Sequence, residues 1–276
     1  MNNYAEMPAW YDWAYGISEI GLYLVCVLAM VLLVVLTTLG VAAYRGRASR
    51  AVPSTLPPGF VTAVVLPISL VISLLVNDIW RKYSDAQDTV VTEASTVADA
   101  VRAIHRLPAD PYSELNGLMY AYVHGDVVQD WRTYQTRRVP IETRSALNEM
   151  EFRVARLLQS PQIDLPARAT LAVLASDLTD LDKLRKKRTQ LSAGRLDNSR
   201  WAVLCVLLLT GLTVLVEVVY GQRKNYFVSV GLFVMGYGTL VYMLVTHDRP
   251  FSGETIVSYH PIAEAYANQL KSFKAR

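Results

Sequence analysis

The sequence predicts an all-α membrane protein: four transmembrane helices, with a helical cytoplasmic bundle inserted between the second and third spans. Three observations predict it. The 276-residue chain is 52% hydrophobic and only 18% charged, with a mean hydropathy of +0.23, too apolar for an ordinary soluble protein. Its apolar residues gather in four runs, each close to the roughly 20 residues that cross a hydrocarbon core about 30 Å thick. No stretch shows sustained two-residue alternation, so no sheet is expected.

Residues 1–19 form an N-terminal interfacial segment. Its first charges are acidic (Glu6, Asp12, Glu19), so it lacks the basic start of a secretory signal. Trp10, Tyr11, Trp13 and Tyr15 suit the headgroup level of a bilayer. Residues 20–80 form the first transmembrane hairpin: Ile20 to Tyr44 carries no charge, nor does Phe60 to Val76. Pro67 is expected to bend the second span or open its backbone bonding. From Ile68 to Leu107 there is neither Gly nor Pro. The second helix is therefore expected to leave the bilayer unbroken, as a strut running into the bundle.

Residues 81–200 carry that bundle. Val90, Ala94, Val97, Val101 and Ile104 repeat at 4-3-4-3 spacing, one stripe down one helix face. This helix ends at Leu107-Pro108, because the residue before a proline resists the α region. A second helix starts near Asp110-Pro111 and carries Leu115, Leu118, Met119, Tyr122, Val123, Val127 and Trp131. Gly125 weakens its middle, and Val139-Pro140 ends it. A third runs through Leu147, Met150, Val154, Leu157 and Leu158 to Ser160-Pro161. A fourth follows Pro166, with Leu171, Leu174, Leu178, Leu181 and Leu184. Residues 201–246 form the second transmembrane hairpin, in which Glu217 is the one charge of Trp201 to Tyr220 and Tyr226 to Thr246 has none. Glu217 lies near the interface, where it is expected to reach the headgroups or pair with Arg223. Residues 247–276 form a C-terminal tail.

Orientation follows from the Lys and Arg residues near the span ends. Arg45, Arg47, Arg50, Arg223 and Lys224 belong to the two short loops on one side. Arg81, Lys82, Lys183, Arg185, Lys186, Lys187, Arg188, Arg195, Arg200 and Arg249 lie on the other. The larger set places the bundle and both termini in the cytoplasm of a multi-pass cell-membrane protein, with a bacterial inner membrane as its expected location.

Ser69, Ser73, Asn77, Arg81 and Asp85 are each four residues apart. They draw one polar line that starts inside the membrane and ends in water. Serine in a membrane helix also bonds back to its own backbone or eases helix packing. An amide at the bilayer edge, as at Asn77, wants a partner or water. The pore reading puts Ser69, Ser73 and Asn77 in water around an axis formed by several copies, with Arg81 at the cytoplasmic mouth. Ile72 and Val76 beside the line are its expected gate, and Asp78 and Asp85 are placed to neutralise Arg81. The run Lys183, Arg185, Lys186, Lys187 and Arg188 is either a solvated face or a patch against anionic headgroups. In the tail, Asp248, Arg249, Pro250, Phe251 and Gly253 form an expected turn, with Phe251 as an apolar anchor against the insert or a neighbouring subunit.

Other chemistry is not suggested. Two cysteines, Cys26 and Cys205, sit inside predicted spans, and four histidines are scattered without ligand spacing. No metal site, cofactor or enzyme motif is expected, and a net charge of +3 is too small to argue for nucleic acid.

Several stretches resemble the bacterial and plant bestrophin-like domain family. They are Trp80, Tyr83, Ala86, Val90, Glu93 and Ala94 directly after the second span, the basic Leu184 to Arg188 ahead of the third, and Asp248 to Gly253 after the fourth. Gln129-Asp130-Trp131 is compatible, and the order of elements is similar over nearly the whole chain. The resemblance implies a homo-oligomeric channel for monovalent ions, lined by the second span, with a pentamer as the expected assembly and chloride-like anions as the expected ions. It also implies a hydrophobic constriction on that helix, although no Phe follows Phe60 there. The acidic clusters that bind calcium in bestrophins have no counterpart, so no calcium dependence is expected. The competing expectation is a non-conducting membrane-anchored scaffold whose bundle binds a cytoplasmic partner.

Overall fold

The computed structural model describes residues 4–6, 12–47, 58–136, 138–140, 145–161, 163–194, 196–220, 223–252 and 257–274. Their order is β1 (Tyr4–Glu6), a short 3-10 turn (Asp12–Gly16), α1 (Glu19–Arg47), α2 (Pro58–Ile104), α3 (Ala109–Ala121), a π-helical turn (Tyr122–Asp126), α4 (Val127–Gln135), β2 (Arg138–Pro140), α5 (Ala146–Gln159), α6 (Leu165–Ala193), α7 (Asn198–Val219), α8 (Arg223–His247) and α9 (His260–Lys274). Helix dominates throughout. Among the described residues the one strand pairing is antiparallel, β1 with β2, Tyr4 opposite Pro140 and Glu6 opposite Arg138. Strands of three residues are too short to leave an alternation pattern, so the expectation of no sheet fails only here.

Among the described residues, four helices are long and apolar enough to cross a membrane: Glu19–Gly46, Thr62–Ile104, Asn198–Val219 and Lys224–His247. The second is far longer than a span. At 1.5 Å per residue the 47 residues of α2 reach about 70 Å, more than twice the roughly 30 Å hydrocarbon thickness. Pro67 lies inside this helix without ending it.

The chain divides into two compact units. Residues 11–81 and 195–248 form a span unit, and residues 1–10, 82–194 and 249–276 form a bundle unit. In the span unit, α1 buries Leu22, Cys26, Met30 and Val34 at four-residue spacing. Gly238 of α8 brings that helix close to α1: a Cβ there would lie 3.3 Å from Val27 Cγ2. Polar links between the two helices are a Thr38 to Tyr226 hydroxyl pair at 2.7 Å and an edge-on Tyr23–Tyr242 contact at 5.5 Å. α7 buries Trp201, Leu204, Leu208, Leu212, Val216 and Val219, the three-to-four spacing of one helix face.

The core of the bundle unit joins the Val90–Ile104 stripe of α2 to Leu115, Met119, Tyr122, Val123 and Trp131, to Leu147, Met150 and Val154, and to Leu171, Leu174, Leu178 and Leu181. Ser145 caps α5 by accepting from the Asn148 amide at 3.3 Å, and Asp164 caps α6 by accepting from the Ala167 amide at 3.1 Å. The helix weakened at Gly125 does not stop there. It passes through the π-helical turn and continues as α4.

Candidate functional site

The outward face of α2 is the first feature. Ser69, Ser73, Asn77 and Arg81 are all exposed, none of them packed inside the chain. The Ser69 hydroxyl donates to Val65 O at 3.0 Å and that of Ser73 to Ser69 O at 2.8 Å. Their donors are thus satisfied within the helix, and only their oxygens face outward. Asn77 lines a surface pocket of about 430 Å³ with Ile72, Ser73, Val76, Trp80 and Leu240. Asp78 does not neutralise Arg81, because it pairs with Arg200 at the start of α7.

The expected gate needs correction. Ile72 is only 3% exposed, and Val76 is half-buried. Ile72 continues the inward ridge of Ile68, Ile79 and Ala86, all buried. The exposed arc instead carries Leu66 and Leu70, 63% and 60% exposed. At 100° per residue, Leu66, Leu70, Ser73, Asn77 and Arg81 fall within about 80° of one another.

The second feature is a buried ion cluster in the bundle unit. Glu93 sits on the inward stripe of α2, and Arg188 on that of α6; both side chains are fully buried and paired. Arg188 Nη2 also donates to Asp130 Oδ2 at 2.7 Å, and its guanidinium lies 4.6 Å from the Trp131 ring centroid. Arg185 holds the same carboxylate in two-pronged fashion, at 2.9 and 3.1 Å. Tyr122 Oη, in the π-helical turn, donates to Glu93 Oε1 at 2.6 Å. Burial raises the Tyr122 pKa well above its ordinary value, and the Glu93 charge adds to the rise. Burial opposes the charge on Arg188, but the Glu93, Tyr134, Tyr122 and Asp130 partners outweigh it and leave its pKa well above the usual value.

This overturns part of the membrane-surface patch. Arg188 cannot meet a headgroup from inside the core, and Arg185 is committed to Asp130. Lys183, Lys186 and Lys187 do point outward, with Lys183 on Asp180 at 2.9 Å and Lys186 on Asp182 at 2.7 Å. The sequence carried the signal. The leucine spacing 171, 174, 178, 181 extends by the same rule to 185 and 188, which puts both arginines on the core face.

The C-terminal turn closes over the cluster. Phe251 is buried, with its ring 5.5 Å from Trp131 and 5.5 Å from Tyr134. Trp131 Nε1 donates to Val257 O at 2.8 Å, Ser252 Oγ to Tyr134 O at 2.9 Å, and the Val257 amide to Pro250 O at 2.8 Å. Arg249 and Pro250 are buried as well. Within the span unit, the buried Asp248 accepts from the Leu196 amide at 2.7 Å. Gly253 lies outside the described residues. So do Trp10 and Tyr11 of the N-terminal segment, whereas Trp13 is exposed.

Glu217 pairs with Arg45, whose Nε lies 3.1 Å and Nη2 2.5 Å from Glu217 Oε2; the Arg223 side chain lies outside the described residues. Among the described residues, no group of three or more His, Cys, Asp or Glu could hold a metal ion.

The bestrophin-like domain model matches residues 26–262. No curated protein matches the chain. Among solved structures, one of a membrane protein matches with a TM-score of 0.68 at 13% identity, over 90% of this chain and 97% of that one. Two single-residue variants of a bacterial bestrophin homologue from Klebsiella pneumoniae match at 12% identity. One has a TM-score of 0.66 over 94% of this chain and 99% of that one; the other has 0.64 over 90% and 98%. At such identities the likeness is one of fold.

Proposed function

Because the chain belongs to the bestrophin-like domain family, we propose that it forms a homo-oligomeric channel for monovalent ions, lined by the membrane part of α2. The observation that carries this reading is the outward arc of Leu66, Leu70, Ser73, Asn77 and Arg81, left uncovered by the chain itself. Copies arranged around an axis, five by family resemblance, would bring these arcs together. Leu66 and Leu70 then form the dewetting constriction in place of the buried Ile72, with Asn77 and the serine oxygens below it. A ring of Arg81 side chains raises the local anion concentration, so anions are the favoured ions. The bundle lies in the cytoplasm, on the side with more Lys and Arg.

A non-conducting scaffold is the second reading. The bundle is a compact unit of its own, and it is the part that would meet a cytoplasmic partner. Reconstitution of the purified chain in liposomes, with ion flux and oligomer mass read together, separates the two. Flux from a ring-sized oligomer supports the channel; a flux-free monomer or dimer supports the scaffold. Arg81→Glu should shift selectivity towards cations.

A further inference from the structure

A groove of about 530 Å³ runs along the outer surface of the span unit between α1 and α7. Leu33 and Tyr44 mark its ends on α1. They are eleven residues apart, or about 16 Å at 1.5 Å per residue, close to one leaflet of a hydrocarbon core about 30 Å thick. Its walls are apolar, with Leu36 of α1 and Leu209 of α7 both exposed. Its floor is open at Gly40, where a Cβ would meet no heavy atom within 4 Å.

One end is polar. Glu217 lines the groove two residues before α7 ends at Val219, and Arg45 lies two residues before α1 ends at Arg47. Both therefore sit at a helix end, where the groove meets the headgroups. A carboxylate is poorly placed at the negative end of a helix dipole, and Arg45 offsets this. Arg45 takes only Oε2 of that carboxylate; among the described residues Oε1 has no protein donor. Thr213 donates its hydroxyl to Leu209 O at 2.7 Å, so it presents only an acceptor oxygen to the groove.

We propose that this groove binds one phospholipid whose headgroup ends in a primary ammonium. Its acyl chain lies along Leu36, Gly40 and Leu209. Its ammonium donates to Glu217 Oε1, and its phosphate lies beside Arg45. Charge complementarity selects this occupant. An anionic glycerol headgroup brings only neutral hydroxyls and leaves its negative charge uncompensated beside Glu217, and a choline headgroup has no N–H to give. The inference needs only that these helices span a bilayer, and it stands or falls apart from ion conduction.

The test uses the full chain, extracted from vesicles of equal parts phosphatidylethanolamine, phosphatidylcholine and phosphatidylglycerol, with retained lipid and oligomer mass read by native mass spectrometry. The wild type should retain the ethanolamine lipid about tenfold over either competitor, the ratio that about 1.4 kcal/mol produces. Gly40→Leu, whose Cβ would meet no heavy atom within 4 Å, puts a branched side chain into the groove and should lose that lipid. Glu217→Gln should retain lipid but lose the headgroup preference. The thermal melt of each variant is recorded, and if Glu217→Gln fails to fold, the wild-type and Gly40→Leu arms decide. Equal retention of the three lipids by the wild type, or unchanged retention by Gly40→Leu, overturns the proposal. So does a Gly40→Leu chain that loses oligomer mass while keeping its lipid, which would assign the groove to a second copy of the chain.

Discussion

Arg188 and Glu93 form an ion pair with both side chains fully buried, at the point where α2 and α6 meet in the bundle unit. The pair is completed by Asp130, Arg185 and Tyr122, so the charges balance and most polar atoms are met. Burying ions costs several kcal/mol each, which good partners repay only in part. The cluster therefore specifies which helix faces meet more than it adds net stability.

Removing one member should be severe. Arg188→Met or Glu93→Leu alone leaves an uncompensated charge and should cost about 3–5 kcal/mol, read as a large fall in the melting temperature of the purified chain. The double variant Arg188→Met, Glu93→Leu should recover a substantial part of the loss. If the double variant is as unstable as the sum of the singles, the pair is not the unit described here.

The C-terminal turn should be held mainly by Phe251. Phe251→Ala opens a cavity against Trp131 and Tyr134 and should cost about 3–5 kcal/mol, with faster amide exchange in α9. Trp131→Phe keeps an aromatic ring but leaves the buried Val257 carbonyl without its donor, and should cost about 1–3 kcal/mol. Equal effects of the two substitutions would contradict this ranking.

His105 makes the docking of α9 sensitive to pH. Its ring stacks on Phe273 at 3.9 Å and lies 4.8 Å from Tyr112, with Nε2 buried and unpaired. Burial pushes its pKa below the ordinary histidine value. The unfolded chain therefore takes up a proton before the folded one does. The contribution of His105 is complete above the ordinary histidine pKa of about 6.5 and is lost as pH falls below it towards the folded value. The protection factors of the α9 amides, taken against intrinsic exchange at each pH, should fall as pH falls through this window, and His105→Phe should abolish the trend. Wild-type α9 protection factors that do not change with pH would refute it.

Gly238 is a packing glycine. An added methyl needs Val27 to shift by a few tenths of an ångström. Gly238→Leu should overpack the α1–α8 contact and cost about 1–3 kcal/mol, seen as a lower melting temperature, whereas Gly231→Leu, which meets open space, should be near neutral. Equal melting temperatures would mean the helices do not meet there.

Much of this fold was legible in the sequence because its signals are periodic and long. The four apolar runs, the Val90–Ile104 stripe and the proline-marked helix ends at Leu107, Ser160 and Pro166 all fall within a few residues of the helix bounds. The turn anchored by Phe251 was legible from Pro250 and its charged neighbours. What misled was charge read by composition rather than by phase. Arg185 and Arg188 look like part of a solvated basic run until the leucine spacing is carried through them. Glu93 is hidden in the same way on the α2 stripe. Ile72 was placed beside the polar line by proximity in sequence, yet one residue turns the helix by 100° and moves the side chain to the inward ridge. The Glu217–Arg45 pair was beyond reach, because it joins helices 172 residues apart in the chain.

The central claim is that the outward face of α2 lines an ion pathway between copies. Its most direct measurement is flux through liposomes holding Asn77→Cys, in a Cys205→Ala background because Cys205 is exposed, before and after a charged, membrane-impermeant thiol reagent. Leu28→Cys, on the outward face of α1, serves as the control. The account predicts robust flux from both variants, with block by the reagent at Asn77→Cys and none at Leu28→Cys. Flux that is unaffected at Asn77→Cys, or absent from wild-type liposomes holding intact oligomers, would contradict it.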